Sequence, residues 1–344
     1  MEKTNPGRFF EDYTVGETIM HAVPRTVGAG ERALYHALYP ARHALYSSDE
    51  FARACGLPES PLDDIAGFHV VFGKTVPDVS LNALANLGYA EGRFLKPIFA
   101  GDTLRTFSDV IGVKQNSNGK SGVVWVHSKG TNQHGDVVID YKRWVMVRKR
   151  DLDAPAPEVV IPNLAPAISA NDLVLPEGLD FTTYDYALAG ERWRAADYAV
   201  GEKINHVDGV TIEEAEHMIA TRLWQNTAKV HFDVASRPDG RRLIYGGHVI
   251  SMARALSFNG LANAQMVVGI NAGAHANPCF SGDTVRAWSE VLDKAETSAP
   301  GVTAARLRLV ATKGDSAAFG LKGEDGKYVS DVLLDLDYWA LMPS

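Results

Sequence analysis

Residues 97–105 read Pro-Ile-Phe-Ala-Gly-Asp-Thr-Leu-Arg, and residues 278–286 read Pro-Cys-Phe-Ser-Gly-Asp-Thr-Val-Arg. A second pair of segments agrees in the same way: residues 12–17 read Asp-Tyr-Thr-Val-Gly-Glu, and residues 197–202 read Asp-Tyr-Ala-Val-Gly-Glu. The first pair lies 181 residues apart and the second 185, so small insertions and deletions separate the matching blocks. Two contiguous matches in the same order indicate a duplication. The chain is therefore predicted to contain two copies of one fold, whose sites began as equivalents.

Each copy is predicted to be an α+β unit. It opens with a turn at Gly16 or Gly201, where we expect a positive φ. A helix follows, and then a second, more apolar helix at residues 67–76 or 247–259, which we expect a sheet to wrap because little of its surface is polar. Runs of β-branched and aromatic residues then predict strands at residues 123–127, 137–141, 305–312 and 328–339.

A proline-rich, alanine-rich segment separates the two copies. Its prolines resist helix and remove sheet donors, so we expect an extended segment at the surface. The predicted boundaries are an N-terminal repeat at residues 1–155, a linker at 156–180 and a C-terminal repeat at 181–344.

The bulk composition is that of a globular protein of about two domains. Of the 344 residues, 46% are hydrophobic and 22% are charged. The net charge of −8 argues against a nucleic-acid partner, since such proteins need a cationic face. Two cysteines, Cys55 and Cys279, form neither a disulfide framework nor a metal set. The N-terminus lacks an apolar signal core and no apolar run is long enough to span a bilayer, so we expect a cytoplasmic protein without a membrane partner.

The loop at residues 223–233, Leu-Trp-Gln-Asn-Thr-Ala-Lys-Val-His-Phe-Asp, is the candidate site. It follows a predicted helix, and its polar groups gather where that helix ends. The chain has no glycine-rich phosphate loop, Cys-x-x-Cys, His-Glu-x-x-His or Gly-x-Ser-x-Gly motif. Nucleophilic and metal chemistries are therefore disfavoured, and no metal site is predicted.

This loop resembles that of the MaoC-like, or (R)-specific enoyl-CoA hydratase, family of hotdog folds. His231 falls on the family histidine, and Asn226 falls on the family aspartate. Gly247 matches the glycine whose backbone amide binds the thioester oxygen. The two Pro-x-Phe-x-Gly-Asp turns match the family's return into its long strands. The resemblance implies a double hotdog, in which each tandem repeat is an antiparallel sheet wrapping a central helix, and no cofactor apart from the CoA of the thioester substrate.

Within that family, residues 225–232 are similar to the loop of the mesaconyl-CoA hydratases, which share this length and two-copy layout. That similarity implies reversible hydration of mesaconyl-CoA to β-methylmalyl-CoA. Such a substrate carries a free carboxylate beside the double bond, and we expect an arginine to balance it through a bidentate pair. Arg222 and Arg254, on the predicted helices that flank the loop, are the candidates for this substrate-binding role.

Asn226 is a departure from the family pattern with a chemical consequence. Hydration needs a base to activate water and donors to stabilise the enolate. A carboxylate can take a proton but an amide cannot. We therefore expect Asn226 to orient the water and His231 to act as the base, coupled to Asp233 or to another carboxylate. An ordinary histidine pKa near ~6.5 suits this role.

The first copy matches the site less well. His43 aligns with His231, but Leu38 falls where Asn226 stands. Because leucine neither orients water nor accepts a proton, the first copy is predicted to be a degenerate site that shapes an acyl or CoA pocket.

Two other functions remain open from the sequence. A hotdog thioesterase would hydrolyse the thioester instead of hydrating the double bond. A non-catalytic acyl-CoA-binding module would explain the missing carboxylate at Asn226. A homodimer or a higher homo-oligomer is also left open, because hotdog sheets often pair at their edges.

Overall fold

The computed structural model describes residues 3–344 and contains one antiparallel sheet that runs through both copies. Its ten strands lie in the order β1-β3-β4-β5-β2-β7-β10-β9-β8-β6. The strand bounds are β1 Thr18–Thr26, β2 Ala83–Phe94, β3 Thr103–Gln115, β4 Ser121–Thr131, β5 Val137–Arg148, β6 Lys203–Thr211, β7 Met266–His275, β8 Thr284–Glu296, β9 Val302–Thr312 and β10 Val332–Pro343. Each copy therefore supplies five neighbouring strands.

Two buried helices pack against this sheet, one in each copy. The helix bounds are α1 Ala29–Leu38, α2 Ala44–Ser47, α3 Asp49–Ala54, α4 Asp64–Thr75, α5 Tyr186–Ala189, α6 Glu214–Leu223, α7 Lys229–Phe232, α8 Gly246–Leu256 and α9 Phe258–Leu261. Every residue of α4 is buried, and so is all of α8 after Gly246. Because a helix buried on all sides has little contact with water, most residues of both helices are apolar. Their buried polar residues bond inside the protein, as His69 does with Ser251 and Arg254 with Ser257. A π-helical turn, Val76–Ser80, continues α4.

The contacts of the two copies confirm the predicted double hotdog. His21 in β1 shares a hydrogen bond of 2.8 Å with Ser108, and His206 in β6 shares one of the same length with Ser289. The opening glycines have the predicted positive φ, +89° at residue 16 and +86° at residue 201. The copies join where β2 pairs with β7.

Helix boundaries differ from the prediction for local reasons. Helix α4 starts at Asp64, three residues earlier than predicted, because the Asp63 side chain accepts a hydrogen bond from the amide of Ile65. Helix α8 ends at Leu256, and Asn259 has a non-helical backbone. No helix within residues 3–344 has the length and apolarity to cross a membrane.

The segment predicted as a linker lies against the sheet. Val160 forms an antiparallel bridge with Val113 of β3. The Ile168 amide donates to the Asn271 side chain at 2.8 Å, and the Ile168 carbonyl accepts from the Trp339 indole at 3.1 Å. This segment thus bonds to strands of both copies.

A substitution at Gly56 tests the packing of this segment. Gly56 has a φ of +86°, and a β-carbon there would lie 1.9 Å from the carbonyl oxygen of Gly178. We expect Gly56→Ala to lower the free energy of unfolding by about 3–5 kcal/mol, the sum of left-handed strain and a backbone clash. Gly135→Ala is the matched control, because Gly135 has the same φ with open space around it, and it should cost about 1–2 kcal/mol. Equal losses in urea denaturation would contradict this packing.

Candidate active site

A cavity of about 280 Å³ opens between the two copies. The N-terminal copy contributes Phe72, Val76, Ser80, Ala83, Leu84, Ala85, Asn86, Tyr89 and Arg143, and the C-terminal copy contributes Asn226, Ala228, Val230, His231, Leu243, Ile244, Tyr245, Gly246, Val249, His275, Ala276, Asn277, Pro278, Cys279 and Leu333. This lining includes no aspartate or glutamate. Within residues 3–344 no group of three or more histidine, cysteine, aspartate or glutamate side chains is arranged to hold a metal ion.

The predicted loop forms one wall of this cavity. Gln225 takes a left-handed φ of +55° at the end of α6, which turns the chain inward. The Asn226 side chain then accepts a hydrogen bond from the Ala228 amide at 3.1 Å, closing a tight turn. Asn226 is buried and lines the cavity, and its side-chain NH₂ group has no acceptor among the described residues. It can therefore donate to a ligand.

The N-terminal copy holds this loop in place. A β-carbon on Gly73 of α4 would lie 1.7 Å from the carbonyl oxygen of Trp224, so α4 and the loop meet backbone to backbone. Lys74, one residue further, donates to the Gln225 side chain at 3.4 Å and to the Val23 carbonyl at 2.6 Å. The loop is thus carried by one copy and positioned by the other.

His231 presents one unbonded ring nitrogen to the cavity. Its Nδ1 lies 2.8 Å from the carbonyl oxygen of Leu243, an arrangement that requires a proton on Nδ1. In the neutral ring Nε2 is then an acceptor. Burial lowers the pKa of His231 to about 4, against a weaker opposing effect of the Leu243 carbonyl. The ring is therefore neutral near pH 7 and able to accept a proton.

Helix α8 begins beside His231, with its amino end at the cavity. The Tyr245 amide donates to His217 at 2.9 Å, while Gly246 and Gly247 occupy the first turn, where amides have no acceptor within their own helix. Gly246 lines the cavity, and Gly247, assigned from the sequence, lies one residue deeper against the His69 ring. The helix start as a whole offers donors and a positive dipole end to a developing negative charge.

His275 and Tyr89 form a polar pair in the cavity wall that the sequence did not indicate. The Tyr89 hydroxyl lies 3.1 Å from His275 Nε2 and links β2 to the end of β7. A β-carbon on Gly246 would lie 2.4 Å from the His275 ring, so His275 stands directly against the start of α8. Burial lowers the pKa of His275 to about 4, which leaves this ring neutral as well.

Arg143 is the one arginine or lysine side chain among the described residues that line the cavity, and it was not predicted from the sequence. It is fully buried in β5 and donates to Thr75 at 2.7 Å, to Ser80 at 3.3 Å and to the Asn86 side-chain oxygen at 3.4 Å. Its guanidinium lies 4.2 Å from the centre of the Phe72 ring. The sequence signal for Arg143 was a charged residue at an inward-facing position of an alternating strand.

The other residues selected from the sequence lie outside the cavity lining. Asp233 is exposed, and its carboxylate caps a short 3₁₀ helix by accepting from the Ala235 amide at 2.9 Å. Arg222 is exposed at the end of α6. Arg254 is buried among internal partners, including Ser257 at 3.1 Å and the Gln265 carbonyl at 3.2 Å. Neither arginine reaches the cavity, and Asp233 does not couple to His231.

The corresponding region of the first copy is filled. His43 is buried with its Nε2 2.5 Å from the Arg254 guanidinium. Asp64, at the start of α4, accepts from the Tyr46 hydroxyl and from the Val267 amide, and burial raises its pKa to about 8. The space left beside it measures about 10 Å³. A carboxylate therefore stands where the second copy has the glycine start of α8.

Comparison with known proteins gives consistent matches over the whole length. A family model described as mesaconyl-CoA hydratase matches residues 1–318. A mesaconyl-CoA hydratase from Cereibacter sphaeroides is 74% identical over 341 residues, covering 99% of each chain. A β-methylmalyl-CoA dehydratase from Chloroflexus aurantiacus is 56% identical over 348 residues, covering 99% of this chain and 98% of that one. The crystal structure of a MaoC domain protein from Chloroflexus aurantiacus superposes with a TM-score of 0.97 at 55% identity, with coverages of 100% and 99%.

The ionisation of His231 can be measured directly. In an NMR titration of the histidine-labelled chain, we expect the His231 ring to stay neutral until about pH 4, with the proton on Nδ1. The folded pKa lies below the unfolded value of about 6.5, so the folded state should lose stability as pH falls from 6.5 towards 4. His231→Gln assigns the resonance by removing it and should reduce that loss. A midpoint at or above about 6.5 would contradict the desolvated site.

Proposed function

The chain belongs to the mesaconyl-CoA hydratase family, and on that premise we propose that it hydrates mesaconyl-CoA reversibly to β-methylmalyl-CoA in the cavity between its copies. The observation that carries the proposal is the meeting of two groups at one cavity. The neutral His231 offers an unbonded Nε2, and the start of α8 offers unbonded amides. Hydration of an enoyl thioester needs a base and an oxyanion site together.

The thioester carbonyl oxygen binds at the start of α8 in this proposal. The first-turn amides of Gly246 and Gly247 donate to it, and the helix dipole favours the charge that develops as the enolate forms. Gly246 has no side chain, so the acyl group can approach the backbone closely. The CoA portion of the bound substrate extends out of the cavity through its open side.

Water attacks the β-carbon from the side of the catalytic loop. Asn226 orients the water through its unbonded amide group, and His231 Nε2 takes one proton as the carbon–oxygen bond forms. The electron pair of the double bond moves onto the thioester oxygen. The proton on His231 then passes to the α-carbon as the enolate collapses. Dehydration follows the same steps in reverse, and no cofactor beyond the CoA of the substrate is needed.

This scheme explains how the site works without the family aspartate. No carboxylate lines the cavity among the described residues, so a carboxylate base is absent and His231 takes its place. Its pKa of about 4 describes the cavity without substrate. The negative charge that develops on the thioester oxygen favours a protonated His231 ring, so Nε2 accepts the proton more readily as the enolate forms. The cytoplasmic location and any homo-oligomer stay predictions.

The substitution His231→Gln tests the base. We expect the rate of mesaconyl-CoA hydration to fall about 10²–10⁴-fold, because glutamine cannot accept the proton. Binding of the CoA thioester should persist, and the exposed His134→Gln serves as the matched control with unchanged rate. The measurements are loss of the enoyl absorbance, release of free thiol and product mass.

Each other outcome of that experiment has a defined meaning. Free thiol without an alcohol product would identify a thioesterase. Binding without turnover in the unsubstituted protein would identify an acyl-CoA-binding module. Full activity of His231→Gln would remove His231 from the mechanism.

Gly73→Ala tests whether the N-terminal copy positions the catalytic loop. The added methyl group would displace the Trp224 carbonyl and with it Asn226. Since a shift of about 1 Å can cost about 10²-fold in rate, we expect a fall of that order in kcat with the protein still folded. Gly67→Ala on the same helix is the control, because its methyl group meets the movable end of the Ile98 side chain. Equal kinetics for both variants would contradict this role.

A further inference from the structure

We propose that Arg143 binds the free carboxylate of the acyl group and so makes the cavity specific for dicarboxylic enoyl-CoA thioesters. This inference rests on the proposed function and names the residue that selects its substrate. Arg143 comes from the N-terminal copy, whereas His231 and the start of α8 come from the C-terminal copy. The N-terminal copy would therefore recognise the substrate carboxylate, and the C-terminal copy would carry out the hydration.

The charge on Arg143 has no internal counter-ion. An arginine side chain stays charged in proteins, and burying such a charge is unfavourable unless it is paired. Yet the recorded partners of the Arg143 guanidinium are the neutral oxygens of Thr75, Ser80 and Asn86. No aspartate or glutamate between residues 3 and 344 forms an ion pair with it. A carboxylate ligand would supply the missing negative charge.

Two buried hydrogen-bond donors in this wall have no partner among the described residues. Arg143 Nε and the Asn86 side-chain nitrogen are both buried and both lack a partner within the described chain. Asn86 turns its oxygen towards Arg143, which leaves its NH₂ group free to donate. Buried donors without acceptors are rare in folded proteins because each loses its hydrogen bond to water. Both residues line the cavity, so a carboxylate bound against this wall meets side chains with unused donors.

The position of Arg143 suits the chemistry of a carboxylate on the β-carbon. Water attacks that same carbon, and an adjacent negative charge repels a nucleophile and makes the carbon less electrophilic. Pairing with Arg143 removes most of that charge. The substrate is then held at the thioester oxygen by α8 and at the carboxylate by Arg143, which places the β-carbon between them at His231. A charge-assisted hydrogen bond to this fixed guanidinium also orients the acyl group.

The other copy has no equivalent of this residue. Trp144 in β5 pairs with Gly88, and Trp339 in β10 pairs with the corresponding Gly269. This register places Tyr338 where the first copy has Arg143. Of the two positions related by the duplication, Arg143 lines the open cavity and Tyr338 does not.

A change to the substrate tests the proposal without altering the protein. The wild-type chain is assayed with mesaconyl-CoA, with its methyl ester at the free carboxylate, and with crotonyl-CoA. We expect kcat/KM for the ester and for crotonyl-CoA to lie about 100-fold or more below that for mesaconyl-CoA. Hydration of the ester as fast as the acid would overturn the role of Arg143.

The variant Arg143→Gln provides the second arm. Its kcat/KM for mesaconyl-CoA should fall about 100-fold or more, whereas its value for crotonyl-CoA should change little, so that the preference disappears. Arg254→Gln is the matched control, since it also removes a buried arginine but lies outside the cavity lining, and it should keep the preference. A retained preference in Arg143→Gln would contradict the proposal.

These arms separate this inference from the proposed function. Absence of hydration of all three thioesters by the wild-type chain would refute the proposed function itself. Hydration of all three at similar rates would leave a hydratase and refute only the carboxylate site. If Arg143→Gln fails to fold, the comparison of the acid and ester substrates with the wild-type protein still tests the carboxylate site.

Discussion

The pairing of β2 with β7 is the interaction on which the rest of this molecule depends. It fuses the five strands of each copy into one sheet and brings Tyr89 of the first copy opposite Gly273 of the second. Without it, the cavity would lose one wall, because β2 and β5 carry Asn86, Tyr89 and Arg143 while the loop after α6 carries Asn226 and His231. Loops alone could not hold these groups in register, whereas a ladder of backbone hydrogen bonds can.

The duplication explains why the protein has one open site and one closed one. In the first copy, Asp64 stands at the start of the central helix, where burial raises its pKa to about 8 against the opposing effect of the hydrogen bond that Tyr46 donates. In the second copy, that helix starts with two glycines and leaves its amides available. Filling one site with internal polar contacts stabilises the fold. Leaving the other open keeps Arg143 buried without a counter-ion, a cost of several kcal/mol that a carboxylate ligand would offset.

Much of the fold could be predicted from the sequence because the repeat is local and contiguous. The Pro-x-Phe-x-Gly-Asp turns, the opening glycines and the apolar central helices are all confirmed within a few residues. The loop from Asn226 to His231 could be selected as the candidate site because its six residues are contiguous, and in the structure it lines the cavity. Gly247 lies beside Gly246 in the first turn of α8, and its role as an amide donor stays a prediction.

The parts that sequence reasoning missed depend on contacts between distant segments. Arg143 precedes His231 by almost ninety residues, and it reaches the cavity through strand order and register. His275 reaches it through the end of β7. Arg222 and Arg254 were selected because they flank the loop in the chain, but helical rotation turns the first to solvent and the second towards His43.

The central claim is that this cavity adds water across the double bond of a dicarboxylic enoyl-CoA and leaves the thioester intact. Incubation of the purified chain with mesaconyl-CoA in water labelled with heavy oxygen, followed by mass analysis, tests it most directly. We predict β-methylmalyl-CoA with the label in its new hydroxyl group and no free CoA. Labelled free acid together with free CoA, or unchanged mesaconyl-CoA, would contradict the account.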